Sequence, residues 1–121
     1  MEPGEPLLDV RFLDELIAGI GADGAAEVMR AFLEEGPERM AAIQRAMAEG
    51  RSHTVRREAH ALAGAARNVG LIRLGEAAHA LQKATEMTDR PDAAVAAVAA
   101  LLADTIPLAG AWVRAHDDLA A

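Results

Sequence analysis

Apolar residues recur along this chain at intervals of three and four positions, which is the spacing of one face of an α-helix. Stretches that contain glycine or proline interrupt the pattern near residues 21–24, 50, 69–70 and 88–91. No segment alternates apolar and polar residues as a half-buried strand does. The pattern therefore predicts helices throughout and no β-sheet.

The interruptions divide the chain into five predicted helices. In chain order they cover about 8–20, 23–50, 52–70, 71–87 and 91–113. The stripe of the short first helix is Leu8, Phe12, Leu16 and Ile20. Short connections between long helices make neighbours antiparallel. We therefore predict an all-α fold, an antiparallel four-helix bundle with a short additional N-terminal helix packed across it, and a single domain over residues 1–121.

The composition fits a helical core with few aromatic side chains. Hydrophobic residues make up 52% of the 121 residues and aromatic residues only 2%, so alanine, leucine and methionine, which favour helices, must fill the interior. Cysteine is absent, which excludes disulfides and thiolate metal sites. The N-terminal residues lack the pattern of a signal peptide, and there is no uninterrupted run of about 18 apolar residues. We therefore expect a cytoplasmic protein with no membrane segment.

The net charge of −7 argues against a nucleic-acid partner. The charge is unevenly distributed, since residues 51–90 carry seven basic and four acidic residues, whereas residues 1–50 carry four basic and eleven acidic ones. Two interpretations stay open. The basic middle segment is either a chance fluctuation of composition or a surface that docks on an acidic partner.

One face of the third predicted helix combines a histidine with glycine and arginine. The buried stripe predicted for that helix is Val55, Ala59, Leu62, Ala66 and Val69. His60 is offset by about 100° from this stripe. Three residues share the face of His60. They are Arg56, four residues before it, Gly64, four residues after it, and Arg67, seven residues after it. A glycine costs the interior of a helix about 1 kcal/mol relative to alanine, so Gly64 requires a reason.

This face is suited to phosphoryl transfer. At neutral pH an imidazole is partly uncharged, and its free nitrogen can attack phosphorus. Nearby arginines would stabilise the charge of the group bound in this way, and a glycine one turn away would let the backbone of a partner approach. The alternative is a surface histidine without function, beside a glycine that allows close packing against a neighbouring helix.

The segment AHALAGAARNVGLIRLGEAAHALQ, residues 59–82, resembles the core of histidine-containing phosphotransfer (HPt) domains of two-component phosphorelays. The pattern of that family is histidine, any residue, leucine, usually lysine, and glycine, followed later by a second glycine. His60, Leu62, Gly64 and Gly70 match it. Weaker similarity extends over most of the chain.

The resemblance implies that an exposed histidine of a helical bundle exchanges a phosphoryl group with the aspartate of receiver domains. It implies that His60 accepts the group at Nε2 and that Gly64 gives clearance for docking. Arg57, Ala63 and Asn68 become candidate docking residues. The implied partners are response-regulator receiver domains and a hybrid histidine kinase. The receiver would supply Mg²⁺, and this chain would need no cofactor of its own.

The sequence departs from the family pattern at Ala63, where lysine is usual. The departure removes a cation expected near the phosphoryl group. Arg67 is the first candidate to replace it, and Arg56 is the second.

Two other classes of function compete with a phosphorelay carrier. A protein of the same family could dock on a receiver or kinase without transferring phosphate, which the missing lysine would favour. A di-metal bundle would need two Glu-x-x-His motifs, whereas Glu76 and His79 form only one. His53 and His60 lie about 10 Å apart along a helix, too far to share an ion. We therefore expect no metal site, no ATP site and no enzymatic activity of its own, in a monomeric protein.

Overall fold

The computed structural model describes residues 6–117, and within that range it contains four helices and no strand. The helices are α1 Val10–Ala48, α2 Ser52–Arg67, α3 Ile72–Ala84 and α4 Asp92–Asp117. Each helix packs against two others, so that α1, α2, α3 and α4 follow one another around a bundle. The short connections make successive helices antiparallel. The predicted all-α class and helical bundle are confirmed.

The short N-terminal helix that we expected is not confirmed as a separate element, because two helices meet at a kink and together form the element Val10–Ala48. Gly21, with φ 88° and ψ 162°, is the residue inside α1 whose dihedral angles are not helical. The break predicted near residue 21 is therefore present, but helix follows it directly. The predicted stripe was wrong at Ile20, which is 52% exposed, whereas Leu13 is completely buried. Ile20 directly precedes the kink and does not continue the buried face.

The core consists mainly of aliphatic side chains and alanines. All five residues of the stripe predicted around His60 are buried, including Val69 just beyond the end of α2. A single polar side chain, Thr105 of α4, is completely buried among the described residues. Its hydroxyl donates to the carbonyl of Leu101 at 2.7 Å, so the buried hydroxyl is satisfied.

The turn between α2 and α3 is attached to the start of α1. Gly70 has a φ of +74°, a left-handed conformation that glycine adopts without steric cost. Its carbonyl accepts the N–H of Asp9 at 2.9 Å, and Oδ1 of Asp9 caps α1 by accepting the N–H of Phe12 at 3.1 Å. A methyl group on Gly70 would lie 3.0 Å from Cδ1 of the Phe12 ring. The second glycine of the sequence motif therefore has a structural role.

The helix α4 is more apolar over its length than the sequence pattern indicated. It contains an 18-residue window with a mean hydropathy of 1.8, which is enough by length and composition to cross a membrane. Asp104 interrupts the apolar run in the sequence, so the search for an uninterrupted run did not predict this window. One face of α4 packs against α1 and α3 in the bundle core. Because 22% of that window is buried, core packing accounts for part of the apolar composition, and one such helix does not establish a membrane location.

Replacement of Gly70 by alanine should destabilise the fold more than the same change at Gly50. Both glycines have positive φ, +74° and +72°, so each substitution forces a left-handed alanine at a cost of about 1–2 kcal/mol. At Gly70 the added methyl group would also meet the Phe12 ring, whereas at Gly50 nothing lies within 4 Å of the added methyl group. Urea denaturation should show the larger loss of unfolding free energy for Gly70→Ala. Equal losses would contradict an energetic role for the Phe12 contact.

Candidate functional site

His60 lies near the middle of α2 with its side chain exposed. Its neighbours Ala59 and Leu62 are completely buried. The helix therefore turns one side to the core and presents His60 on the flank, as the apolar pattern predicted.

A glutamine of α3 orients the ring of His60. Oε1 of Gln82 lies 3.3 Å from Nδ1 of His60. An amide oxygen only accepts hydrogen bonds, so this contact favours the neutral tautomer that carries its proton on Nδ1. The lone pair is then on Nε2. The arrangement supports Nε2, rather than Nδ1, as the reactive nitrogen.

Sequence reasoning missed Gln82, although the sequence contains a signal for it. His60 precedes Gly70 by ten residues and Gln82 follows it by twelve. In two antiparallel helices joined at Gly70, residues at similar distances from the turn lie at similar heights, because each residue rises by about 1.5 Å. The spacing therefore places Gln82 on the part of α3 that is level with His60.

A shallow depression beside the histidine collects basic side chains. It is lined by His53, Arg56, Arg57, His60 and Gln82. Nη2 of Arg56 donates to Nδ1 of His53 at 3.2 Å. Within residues 6–117 neither Arg56 nor Arg57 forms an ion pair. The depression therefore carries positive charge that an anion can neutralise, which fits the basic middle segment seen in the sequence.

The one acidic residue of α2, Glu58, is paired away from this depression. Oε1 of Glu58 accepts from Nη1 of Arg39 on α1 at 2.9 Å, and Nε of Arg39 donates to Glu35 at 3.2 Å. The hydrogen bond to Glu58 is the main reason why the pKa of the Arg39 guanidinium is raised. The pairing links α1 to α2, and Glu58, the only carboxylate of α2, does not line the depression.

Gly64 lies one turn beyond the histidine and is exposed, and a methyl group there would meet nothing within 4 Å. At Gly36, by contrast, the methyl group would lie 2.9 Å from the Phe32 ring, and at Gly75 it would lie 3.0 Å from Cγ of Arg67. Packing inside the chain therefore explains Gly36 and Gly75 but not Gly64. The surface at Gly64 is open to a partner.

The structure places the two arginines differently relative to His60. Arg67 lies against α3, since its Cγ and Nε would be 3.0 and 3.6 Å from a methyl group on Gly75. It does not line the depression that contains His60, whereas Arg56 does. Spacing on α2 put both arginines on one face, but the long side chain of Arg67 follows the neighbouring helix instead.

The expectation that Ala63 is a docking residue has to be corrected, because Ala63 is only 2% exposed. The helix α2 packs against both α1 and α3, so its buried side is wider than the single stripe in the sequence. A partner cannot reach the methyl group of Ala63. Arg57 and Asn68 are exposed, and their role in docking stays a prediction. Asn68 ends α2 and borders a groove between α1 and α2.

The Glu-x-x-His motif does not have the placement that a metal-binding bundle requires. Glu76 and His79 are both exposed on α3, whereas di-metal bundles direct this motif into the core. Within residues 6–117, no three side chains of histidine, aspartate or glutamate are close enough together to hold a metal ion.

A family model for the Hpt domain matches residues 27–112. This chain belongs to the HPt domain family. Its fold is similar to that of histidine-containing phosphotransfer protein B (HptB) from Pseudomonas aeruginosa PAO1, with a TM-score of 0.83 and 20% sequence identity over 92% of this chain and 97% of that chain. None of the curated proteins matches the chain significantly.

Membership of the HPt family confirms the resemblance seen in the sequence. HPt domains are phosphocarrier modules rather than catalytic enzymes, and they interact with receiver domains and kinases in two-component phosphorelays. HPt proteins are soluble signalling proteins, which agrees with α4 as a helix of the bundle.

Replacement of Gly64 by alanine should stabilise the isolated domain by about 0.5–1 kcal/mol, because alanine is the better helix former and the space at Gly64 is open. Gly36→Ala is the matched control. It makes the same change in a helix but places the methyl group 2.9 Å from the buried Phe32 ring, so it should lower stability. Urea denaturation measures both changes, and a Gly64→Ala variant less stable than wild type would show that Gly64 has a packing role.

Replacement of Gln82 by leucine should remove the acceptor for Nδ1–H and mix the two tautomers of His60. The ¹⁵N chemical shifts of the ring nitrogens report this change, with the proton on Nδ1 in the wild type. Gln44→Leu, at an exposed position on α1, is the control and should leave the shifts unchanged. Identical His60 shifts in Gln82→Leu and wild type would contradict the role of Gln82.

Proposed function

We propose that this HPt domain accepts a phosphoryl group on Nε2 of His60 from the aspartate of one receiver domain and passes it to the aspartate of another. The proposal rests above all on the 3.3 Å hydrogen bond between Nδ1 of His60 and Oε1 of Gln82. This bond favours the proton on Nδ1, which leaves the lone pair of Nε2 available on an exposed side chain.

The transfer exchanges one bond to phosphorus for another. The lone pair of Nε2 attacks the phosphorus of an aspartyl phosphate, an N–P bond forms, and the P–O bond breaks with its electron pair on the carboxylate. The proton on Nδ1 stays in place, and the Gln82 oxygen stabilises the positive charge that the ring acquires. Because Nε2 carries no proton, the step needs no general base. Attack by the carboxylate of a second receiver reverses it.

The charges around His60 suit the group that is transferred. Phosphoryl transfer depends mainly on positioning and on electrostatic stabilisation of the phosphoryl oxygens. Arg56 borders the same depression as His60 and has no carboxylate partner within residues 6–117. We therefore assign Arg56, rather than Arg67, as the cation that replaces the usual lysine. Mg²⁺ would come from the receiver domain, and this chain would contribute no cofactor.

The partner would dock on the exposed face of α2. Gly64 gives the clearance, since nothing within this chain fills the space above it. Arg57 and Asn68, both exposed, would contact the receiver on either side. We propose that the donor is a hybrid histidine kinase, that the recipient is a response regulator, and that the domain works as a cytoplasmic monomer.

Phosphoryl transfer from phosphorylated receiver domains of the same genome tests the proposal. Wild type should acquire one phosphoryl group by intact mass, and the group should be lost in acid, as phosphohistidine is. His60→Gln should fold and acquire none. His79→Gln, which changes an exposed histidine on α3, is the control and should behave as wild type. Receivers that bind the wild type but never transfer phosphate to it would contradict the proposal and favour a docking protein.

Arg56→Ala should slow acceptance of the phosphoryl group about tenfold, which corresponds to about 1.4 kcal/mol of transition-state stabilisation. Arg67→Ala should leave the rate nearly unchanged, because that side chain lies over Gly75. Rapid-quench measurements at saturating receiver would separate the two variants. A slow Arg67→Ala with a normal Arg56→Ala would restore our first preference.

A further inference from the structure

Two histidines of α2 border the depression, His53 and His60. Both are exposed, and they lie seven residues apart, about two turns. The proposed function uses only His60. The hydrogen bonds of the two rings show what His53 contributes.

The hydrogen bonds favour opposite tautomers for the two rings. A guanidinium donates hydrogen bonds and accepts none, so Nδ1 of His53 accepts from Nη2 of Arg56 over the 3.2 Å that separates them. The proton of the neutral His53 ring is then on Nε2, and its lone pair is used by Arg56. In His60 the proton is on Nδ1, towards Gln82. Only His60 has a ring nitrogen free to attack phosphorus.

The bond to His53 gives the guanidinium of Arg56 a fixed partner at the border of two depressions. Both residues border the depression of His60 and a second one. The second depression is lined by Ser52, His53, Arg56, Thr85 and Glu86. Glu86 carries the charge that would attract a free guanidinium into it. His53 engages one of the five N–H groups of Arg56 and leaves the others available to phosphoryl oxygens.

We propose that His53 is a positioning residue, which holds the guanidinium of Arg56 beside His60 and is not itself phosphorylated. This inference rests on the proposed transfer function and extends it to a residue two turns from the reacting nitrogen. His53 acts through Arg56, so its effect should disappear when Arg56 is absent.

A double-mutant cycle tests this dependence. The rate of phosphoryl transfer from a phosphorylated receiver is measured for wild type, His53→Ala, Arg56→Ala and the double variant. His53→Ala should slow acceptance about fivefold at saturating receiver, and it should have no further effect in the Arg56→Ala background. His53→Asn should restore the rate, because Oδ1 of asparagine can accept from Arg56 as Nδ1 does.

Three outcomes would overturn the inference. One is a wild-type rate for His53→Ala, and another is the same slowing in the presence and absence of Arg56. The third is label on His53 itself, which peptide mapping of the phosphorylated protein would reveal. Thermal unfolding of His53→Ala and His53→Asn should match wild type, so that a slow rate reports on the site and not on folding.

NMR of the unphosphorylated protein provides a measurement that does not depend on transfer. The ¹⁵N shifts of His53 should show the proton on Nε2 in wild type and a mixture of tautomers in Arg56→Ala. A His53 ring with its proton on Nδ1 in wild type would overturn the inference whatever the transfer rates. If no receiver phosphorylates His60 although the tautomers are as expected, the transfer function is overturned, and the catalytic use of Arg56 with it. The hydrogen bond between His53 and Arg56 would still be established by that result.

Discussion

The antiparallel packing of α2 against α3 is the constraint on which the site depends. The two helices come close at Gly75, where a methyl group would be in van der Waals contact, 3.6 Å from the carbonyl oxygen of Ala63. The turn at Gly70 sets the register that brings Gln82 level with His60. A shift by one helical turn, about 5.4 Å, would separate the amide from the ring. The chemistry of one imidazole therefore depends on a backbone contact and a left-handed turn some distance from it.

Much of this arrangement follows from local rules that the sequence obeys. The apolar stripe of α2 predicts that His60 stands on the flank of the helix, and the structure buries every residue of that stripe. Glycine is unfavourable in the interior of a helix, so the presence of Gly64 indicates a requirement other than helix stability. The pattern and the turn residues also predict helices α2, α3 and α4 with nearly their observed bounds. Periodicity is reliable there because each helix has one continuous buried face.

The remaining features depend on tertiary contacts that a one-dimensional pattern does not contain. Ala63 is buried because two helices, not one, cover α2. Arg67 follows α3 because Gly75 leaves a space for its stem, which helical spacing on α2 alone cannot reveal. The direction that residues 10–20 take from the kink at Gly21 is set by dihedral angles that the apolar pattern does not contain. Arg56 and His53 form a hydrogen bond only in a particular combination of side-chain rotamers. Their spacing in the sequence predicts that they lie near each other but does not predict the bond.

The depression beside His60 contains cations and an amide but no carboxylate, and Glu58 is turned towards Arg39. A water molecule near a phosphoryl group on His60 would meet no group able to take its proton, since arginine is always charged and the Nδ1 lone pair of His53 is occupied. Hydrolysis would therefore receive no proton acceptor from the residues that line the depression. Under the proposed transfer function, the lining would leave a phosphoryl group on His60 to its intrinsic rate of hydrolysis, and the domain would hold the group for that time between two encounters with receivers.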